Sequence, residues 1–423
     1  MKNSLFDKSK EFFKKLGPGL VTGTSDDDPS GVLTYLQTGA VLGIKSLWFA
    51  LFTLPMMYAI QEMCGRIGYV TDKGLIKVIK ENYSKYILYP IAFFSVLVIT
   101  INIGADLSAV GVILEKFTGI GRLLWIPMVS LFILTFMILF SYQKLAKILK
   151  WLTLTLFFYI FTTFFMNIDW ISAIKSTFIP TFSFSKTNLI LLTAILGTTI
   201  SPYLFFWQAN VEVEERDDKK IKKSLKRFLV TKNELKILRE DTFLGMFFSN
   251  LVMWFIIVGA SYLGSAYGIA EIQSFDQVAL ILKPLLGNFA FTAFGLGIIG
   301  TGLLAIPILA GSVGYILSEI FDWQEGLNKK FREAKGFYMV IIASTFVGMI
   351  INFFGIDPIK ILIYAAVFYA IITPVLIFLI LKISNNRKIM NYKTNSRTIN
   401  ILGGATFLFA TFAVISYLIS VLF

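Results

Sequence analysis

Apolar residues fall in eleven long runs, at about 17–43, 47–65, 86–114, 124–141, 148–166, 188–208, 242–264, 284–317, 337–354, 358–381 and 399–422. Most are 18 to 25 residues or more, the length a helix needs to cross about 30 Å of hydrocarbon. Polar residues gather between the runs, and the basic ones do so unevenly. With the N-terminus inside, the six inside segments hold 32 of the 39 Lys and Arg residues and the outside segments hold 7. Positive charge marks the cytoplasmic side of short loops, so the pattern predicts eleven spans with the N-terminus cytoplasmic and the C-terminus extracellular. The longest polar stretch, 209–241, carries helical charge patterning and reads as a cytosolic continuation of span 6. Its basic face is suited to solvent and anionic lipid. Residues 1–16 are basic and amphipathic, and no small-residue cleavage site follows them. They read as a cytosolic helix rather than a signal peptide.

Two runs are interrupted near their middles. Span 1 reads GPGLVTGTSDDDPSGVLTYLQTGAVLG, with Asp26, Asp27 and Asp28 followed by Pro29, Ser30 and Gly31. Span 6 reads ILGTTISPYLFFWQ, with Thr198, Thr199 and Ser201 before Pro202. Proline removes a backbone donor and disfavours helix in the residue before it. Five crossings separate the two faults, so spans 1–5 and 6–10 are expected to be two halves of opposite orientation. Broken helices that face each other at mid-membrane form cation sites from carbonyls and half-helix ends. Irregular backbone at that depth is tolerated only where it is buried in protein or lines a cavity.

Composition then narrows the chemistry. The chain of 423 residues is 56% hydrophobic and 15% charged, against about a quarter charged in soluble domains. The net charge of +13 follows from the inside bias and is not a nucleic-acid footprint. One cysteine (Cys64) and no histidine exclude disulfides, zinc clusters and serine–histidine catalysis. No enzyme class and no cofactor is suggested.

The aspartates carry the functional signal. A charge at mid-membrane costs roughly 2.5–3.5 kcal/mol or more, and such residues mark ion pathways by default. Asp28 before Pro29 suits the N-cap of the outer half-helix, which leaves Asp26 and Asp27 unexplained. Span 6 offers no Lys or Arg within the membrane to pair with them, so a bound cation is the fitting counter-charge. The hydroxyls of Thr198, Thr199 and Ser201 either bond their own helix or line the break. Asp106 in span 3 is a cation or proton relay, or else pairs with a polar neighbour. Glu62 and Arg66 are spaced as an intrahelical pair, and Met56, Met57 and Met63 read as packing.

The stretches GPGLVTGTSDDDPSGVLTYLQTGAVLGIKSLW, QEMCGRIGYVTDKGL, GTTISPYLFFWQ and GLLAIPILAGSVGYILSEIF resemble helices 1, 2, 6 and 8 of the Nramp family of divalent metal transporters. The resemblance runs in order over essentially the whole chain. It implies an all-α integral membrane protein with a LeuT-type 5+5 inverted repeat and eleven transmembrane helices, helices 1 and 6 broken. The halves would be 17–166 and 188–381, with 399–422 as an added span. The family's Asp-Pro-Gly-Asn is here Asp28-Pro29-Ser30-Gly31, so the aspartate carries over and the asparagine does not. Its Met-Pro-His is Ser201-Pro202-Tyr203, with Thr198 where a backbone carbonyl faces the ion. Of the third-helix acidic pair Asp106 remains, while Ala109 stands at the glutamate position and span 9 (337–354) has no arginine.

This pattern is similar to the divergent Nramp-related magnesium transporters. Oxygen-only ligands suit hard cations, and Mg²⁺ is held by one or two carboxylates with several waters kept. The expectation is therefore transport of partly hydrated Mg²⁺ and/or Mn²⁺ through a multi-pass cell-membrane protein, without proton coupling. The metal residues would be Asp28, Asp27, Gly31, Thr198 and Ser201, with Asp26, Asp106 and Tyr203 as relay or vestibule. A proton-coupled Mn²⁺/Fe²⁺ transporter is the first alternative. An amino-acid or amine transporter on the same fold is a more distant one, because fold does not fix function. The divalent ion and the lipid bilayer are the expected partners.

Overall fold

A computed structural model describes residues 18–140, 157–222, 230–269, 271–280 and 283–422. The expected N-terminal helix and residues 148–156 of span 5 lie outside the described residues. Span 1 is two helices, α1 (Pro18–Ser25) and α2 (Pro29–Leu42). Next come α3 (Trp48–Thr71, span 2), the short α4 (Leu75–Asn82), α5 (Lys85–Thr118, span 3) and α6 (Arg122–Leu139, span 4). Short helices α7 (Phe157–Thr163) and α8 (Trp170–Phe178) precede the two parts of span 6, α9 (Lys186–Thr199) and α10 (Pro202–Lys222). The second half continues with α11 (Lys232–Tyr267, span 7), α12 (Phe275–Ala279), α13 (Lys283–Leu286), α14 (Ala290–Phe321, span 8), α15 (Lys335–Ile351, span 9) and α16 (Pro358–Asn385, span 10). The last helix is α17 (Arg397–Leu422, span 11).

Eight described helices are long and apolar enough to cross a membrane alone, and they correspond to spans 3, 4 and 6–11. Span 6 passes as Lys186–Asp217 across its break, whereas span 1 does not pass. Span 2 passes only together with Pro29–Ser46, across a bend of 109°. Its α3 holds Gln61, Glu62 and Arg66, which are buried and lower its hydropathy. Arg66 donates to both oxygens of Glu62, at 3.0 and 3.1 Å, and Arg239 donates to the same carboxylate at 3.0 Å. The Glu62–Arg66 pair thus has a third member from α11. Arg66 also reaches the Lys393 carbonyl (2.6 Å) and Asn395, tying α3 to the α16–α17 connection.

Packing relates the two halves. Span 1 (α1, α2) lies on span 7 (α11), and span 6 (α10) lies on span 2 (α3), which is the same contact with the halves exchanged. Span 3 lies on span 8 (α5 on α14), while the contacts of α15 with α5 and of α14 with α6 form the next exchanged pair. Lipid tails are as apolar as leucine, so such helices associate through small residues that let backbones approach. Gly23 meets Gly245, Gly68 meets the Ala209 carbonyl and Gly197 meets the Ala366 carbonyl so closely that no side chain fits at any of the three. Each contact fixes a helix crossing beside one of the breaks or beside the Glu62 cluster.

The helix α10 continues span 6 through Lys222, as the charge patterning of 209–241 suggested; residues 223–229 lie outside the described residues. Near its polar end, Arg216 donates to the Tyr69 carbonyl at 2.5 Å. On the same side of the molecule Lys77 and Lys80 of α4 pair with Asp322 at the end of α14, Lys80 at 2.5 Å. Those two ammonium groups, Lys77 foremost, pull the Asp322 carboxyl down to about 2.

Candidate functional site

Both breaks fall where the prolines put them. In span 1 the helix stops at Ser25 and restarts at Pro29, with Asp28 extended (φ −67°, ψ 169°) as N-cap. Its Oδ1 accepts the Gly31 amide at 2.5 Å. In span 6 the helix stops at Thr199 and restarts at Pro202. The broken ends meet: the Tyr203 hydroxyl, just past the second break, donates to the Ser25 carbonyl at 2.7 Å, just before the first. That bond satisfies one of the four carbonyls a helix end leaves open. Ser312 of α14 donates to the Tyr203 carbonyl at 3.0 Å and holds the junction from span 8.

The hydrogen-bond partners of Asp28 are a backbone amide and a side-chain amide. Its Oδ2 accepts from Asn102 Nδ2 of α5 at 2.8 Å. Asp106, one turn further along α5, faces Asp28 and the Ser30 amide. No partner reaches hydrogen-bond geometry with either Asp106 oxygen among the described residues. Ser30 itself donates to the Leu362 carbonyl of α16 at 2.7 Å. Thr198 closes the far side: its hydroxyl oxygen would lie 2.9 Å from a Cβ at Gly31, and Asp28 Oδ1 would lie 3.2 Å from it. Asp28, Thr198 and Ser201 are 2%, 3% and 1% exposed, so the site is sealed from solvent on both sides.

Several expected site residues take different places. Asp27 turns toward α11 and not toward Asp28: its Oδ1 accepts from Ser249 at 3.3 Å, and the same hydroxyl serves Asp26 Oδ2 at 3.1 Å. Tyr35 approaches Asp26 at 3.5 Å. The three aspartates occupy successive residues of a non-helical segment: Asp26 and Asp27 share the Ser249 hydroxyl, while Asp28 points away from them to Asn102. Among the described residues no three acidic side chains gather closely enough to hold one metal ion. The Thr198 carbonyl, expected to face an ion, receives the Ser201 hydroxyl at 2.5 Å, and that hydroxyl also lies 3.0 Å from the Gly197 carbonyl. The Thr198 hydroxyl and Asp28 Oδ1 both border Gly31. Thr199 bonds its own helix at Ile195 (2.7 Å). The sulfurs of Met57 and Met63 accept from Asn250 and Ser384, both at 3.2 Å, which accords with packing.

Sequence reasoning missed Asn102, Ser249 and Tyr35. Asn102 lies four residues before Asp106 in one helix, and that spacing puts the two side chains on one face. The signal was present.

The family model described as natural resistance-associated macrophage protein-like matches residues 19–420. The chain belongs to the Nramp family. It is 24% identical over 408 residues to the divalent metal cation transporter MntH of Caldanaerobacter subterraneus subsp. tengcongensis, covering 93% of this chain and 90% of the relative. It is 26% identical over 406 residues to MntH of Klebsiella pneumoniae subsp. pneumoniae, covering 92% and 90%. The structure resembles a crystal structure of the Eremococcus coleocola manganese transporter in complex with an aromatic bis-isothiourea substituted compound. The TM-score is 0.75 at 15% identity, over 96% of this chain and 87% of that one. A second likeness is to the inward-facing conformation of Mhp1, with TM-score 0.53 at 12% identity over 96% and 89%. The all-helical inverted-repeat fold expected from the two breaks is therefore that of this Nramp chain. Its membership makes it a multi-pass membrane transporter and not an enzyme.

Proposed function

We propose that the chain carries hard divalent cations, Mg²⁺ and Mn²⁺, as partly hydrated ions bound at Asp28, with the metal as substrate and no resident cofactor. The observation that carries this reading is the donor set around Asp28. The Asp28 carboxylate lies with a threonine hydroxyl, an asparagine amide and a second carboxylate on α5, and no sulfur is among these contacts. Hard oxygen donors favour Mg²⁺, Ca²⁺ and Mn²⁺ and give no advantage to soft ions. Divergence of Asp27 and Asp26 leaves one carboxylate in direct reach and Asp106 behind it. That is the sparse ligation Mg²⁺ uses when it keeps most of its water.

Uptake without proton coupling follows from what flanks Asp106. Span 9 offers no basic residue after Lys335. At Gly104 and Gly348 the backbones of α5 and α15 touch: a Cβ at Gly104 would lie 2.6 Å from the Gly348 carbonyl. Asn352 bridges both carbonyls, at 3.0 and 3.2 Å. Backbone, and no basic side chain, therefore fills this contact of span 3 with span 9. A potential of 100 mV supplies about 4.6 kcal/mol to a dication, at about 2.3 per charge, which drives accumulation unaided. The proton-coupled Mn²⁺/Fe²⁺ reading is favoured by one observation, the fully buried Asp106 carboxylate with no basic partner beside it among the described residues. We further propose that the halves are 17–166 and 188–381 and that the N-terminus is cytoplasmic. The charged end of α10 and the Lys77–Lys80–Asp322 cluster sit on the face this orientation assigns to the cytosol.

Calorimetric titration of the purified protein with Mn²⁺, then with Mg²⁺ as competitor, tests the reading. Competition at millimolar Mg²⁺ supports it. Binding of Mn²⁺ that Mg²⁺ does not displace, with Cd²⁺ preferred to both, overturns it.

A further inference from the structure

The family's amide ligand has gone from span 1, and Gly31 shows why it cannot return there. A Cβ at that position would lie 2.9 Å from both the Asp26 carbonyl and the Thr198 hydroxyl. Any side chain must displace backbone or close the break. Yet an amide does reach Asp28, and it comes from another helix. Asn102 is fully buried on α5, its Nδ2 donates to Asp28 Oδ2 at 2.8 Å, and its own Oδ1 has no hydrogen-bond partner among the described residues. A buried amide oxygen without a donor is costly, and such groups in native structures call for an absent partner. Tyr369 of α16 faces both carboxylates, and its hydroxyl pairs with the Asn102 side chain.

We propose that Asn102 is the amide ligand of this transporter, supplying from span 3 the neutral oxygen that position 31 no longer provides. The inference rests on the reading of Asp28 as the centre of a hard-cation site. Before an ion enters, Nδ2 holds the Asp28 carboxylate in place. When a dication takes up Asp28 Oδ2, that donor must leave, because an N–H cannot point at a cation. Rotation about the terminal torsion of the side chain, which is broad and roughly two-fold, brings Oδ1 to the ion in its stead. The side chain has the right chemistry for both states, since an amide carries two donors and an acceptor. A neutral oxygen also leaves the charge of the site set by Asp28 and Asp106, two negatives for one dication. The same α5 face thereby presents ligand and balancing charge one helical turn apart. Two devices of the ordinary site, amide and acid, are drawn together on span 3.

The test uses purified full-length protein, wild type, Asn102→Ala and Asn102→Asp, titrated with Mg²⁺ and Mn²⁺ by calorimetry. Water-proton relaxation then counts the waters on bound Mn²⁺. Asn102→Ala should weaken both ions by about tenfold or more and add one inner-sphere water. Asn102→Asp should bind at least as tightly as the parent, with the parental water count, because it still offers an oxygen. A residue that merely held Asp28 in place would give the reverse order. Aspartate would then be the worse replacement, setting acceptor against acceptor, and the water count would not move. Either that order, or alanine binding as tightly as wild type with the parental water count, overturns the assignment of Asn102 and leaves the Asp28 site standing. Failure of the wild-type protein to bind either ion overturns the site and this inference together.

Discussion

Replacing Asp28 by asparagine separates the fold from the function at one position. Asparagine is as good an N-cap as aspartate, so the bond from the Gly31 amide (2.5 Å) survives. The bond with Asn102 is replaced by its reverse, because once the Asn102 side chain flips the introduced amide donates to Asn102 Oδ1. The site loses nothing but a charge, and that charge is buried without a basic partner. Metal-free stability should therefore hold or rise. For the ion the loss is large. Two unit charges 4 Å apart interact by about 4 kcal/mol at an effective dielectric of about 20, hence about 8 kcal/mol for a dication. Retained water and the remaining Asp106 offset much of this. A third of it, about 2.7 kcal/mol, still weakens binding roughly 100-fold. Calorimetry with Mn²⁺ and Mg²⁺, beside a thermal melt in detergent without metal, reads both sides. An affinity within about threefold of wild type, in a protein that melts normally, refutes the role of Asp28.

Further outcomes follow from the same contacts. Tyr203→Phe leaves the buried Ser25 carbonyl without its donor and should cost about 1–3 kcal/mol of stability, seen as a lower melting temperature; an unchanged melt means the two breaks are not held together by that bond. Gly197→Val drives a side chain into the Ala366 carbonyl and should abolish folded expression. Gly404→Ala, a helical position with open space around it, should be neutral or stabilise by roughly 0.5–1 kcal/mol. Equal behaviour of the two in size-exclusion profiles contradicts the packing of span 6 on span 10. Glu325, in the connection after α14, has its carboxyl pushed up to about 10 by burial and then by Glu319 and Glu214, against the opposing pull of Lys329 and Lys77. The folded state holds a proton that the unfolded chain releases above the ordinary carboxylate range, so this group's contribution falls as pH rises toward about 10. Glu325→Gln should raise the melting temperature over wild type at pH 8 and not at pH 5, and equal gains at both pH values refute the shift.

The architecture was legible wherever a residue type acts through the backbone. Pro29 and Pro202 locate the two breaks, and five intervening crossings give the inverted halves that the exchanged packing of α1, α2 and α10 displays. Span 2 was readable as apolar although Glu62 and Arg66 lie inside it, and their four-residue spacing foretold the pair but not Arg239, which arrives from 173 positions beyond Arg66. The site was legible only in part. A helix turns side chains by a fixed angle per residue, so Asn102 could be aligned with Asp106. The break at Asp26–Asp28 has no such period, and nothing in the order of three aspartates says that two face Ser249 and one faces Asn102. The Ser201 hydroxyl is a similar case, since it bonds back to Thr198 and Gly197 as short polar side chains do when backbone acceptors are open.

The central claim is electrogenic uptake of a hard dication without a proton, and flux through the reconstituted protein tests it most directly. Proteoliposomes with a potassium-diffusion potential, a Mg²⁺-sensitive dye and a lumenal pH dye report metal and proton together. Inward Mg²⁺ flux that rises with the negative inside potential, with lumenal pH unchanged and Mn²⁺ competing, is the predicted result. Metal entry that acidifies the lumen, or exclusion of Mg²⁺ at millimolar concentration while Cd²⁺ enters, contradicts it.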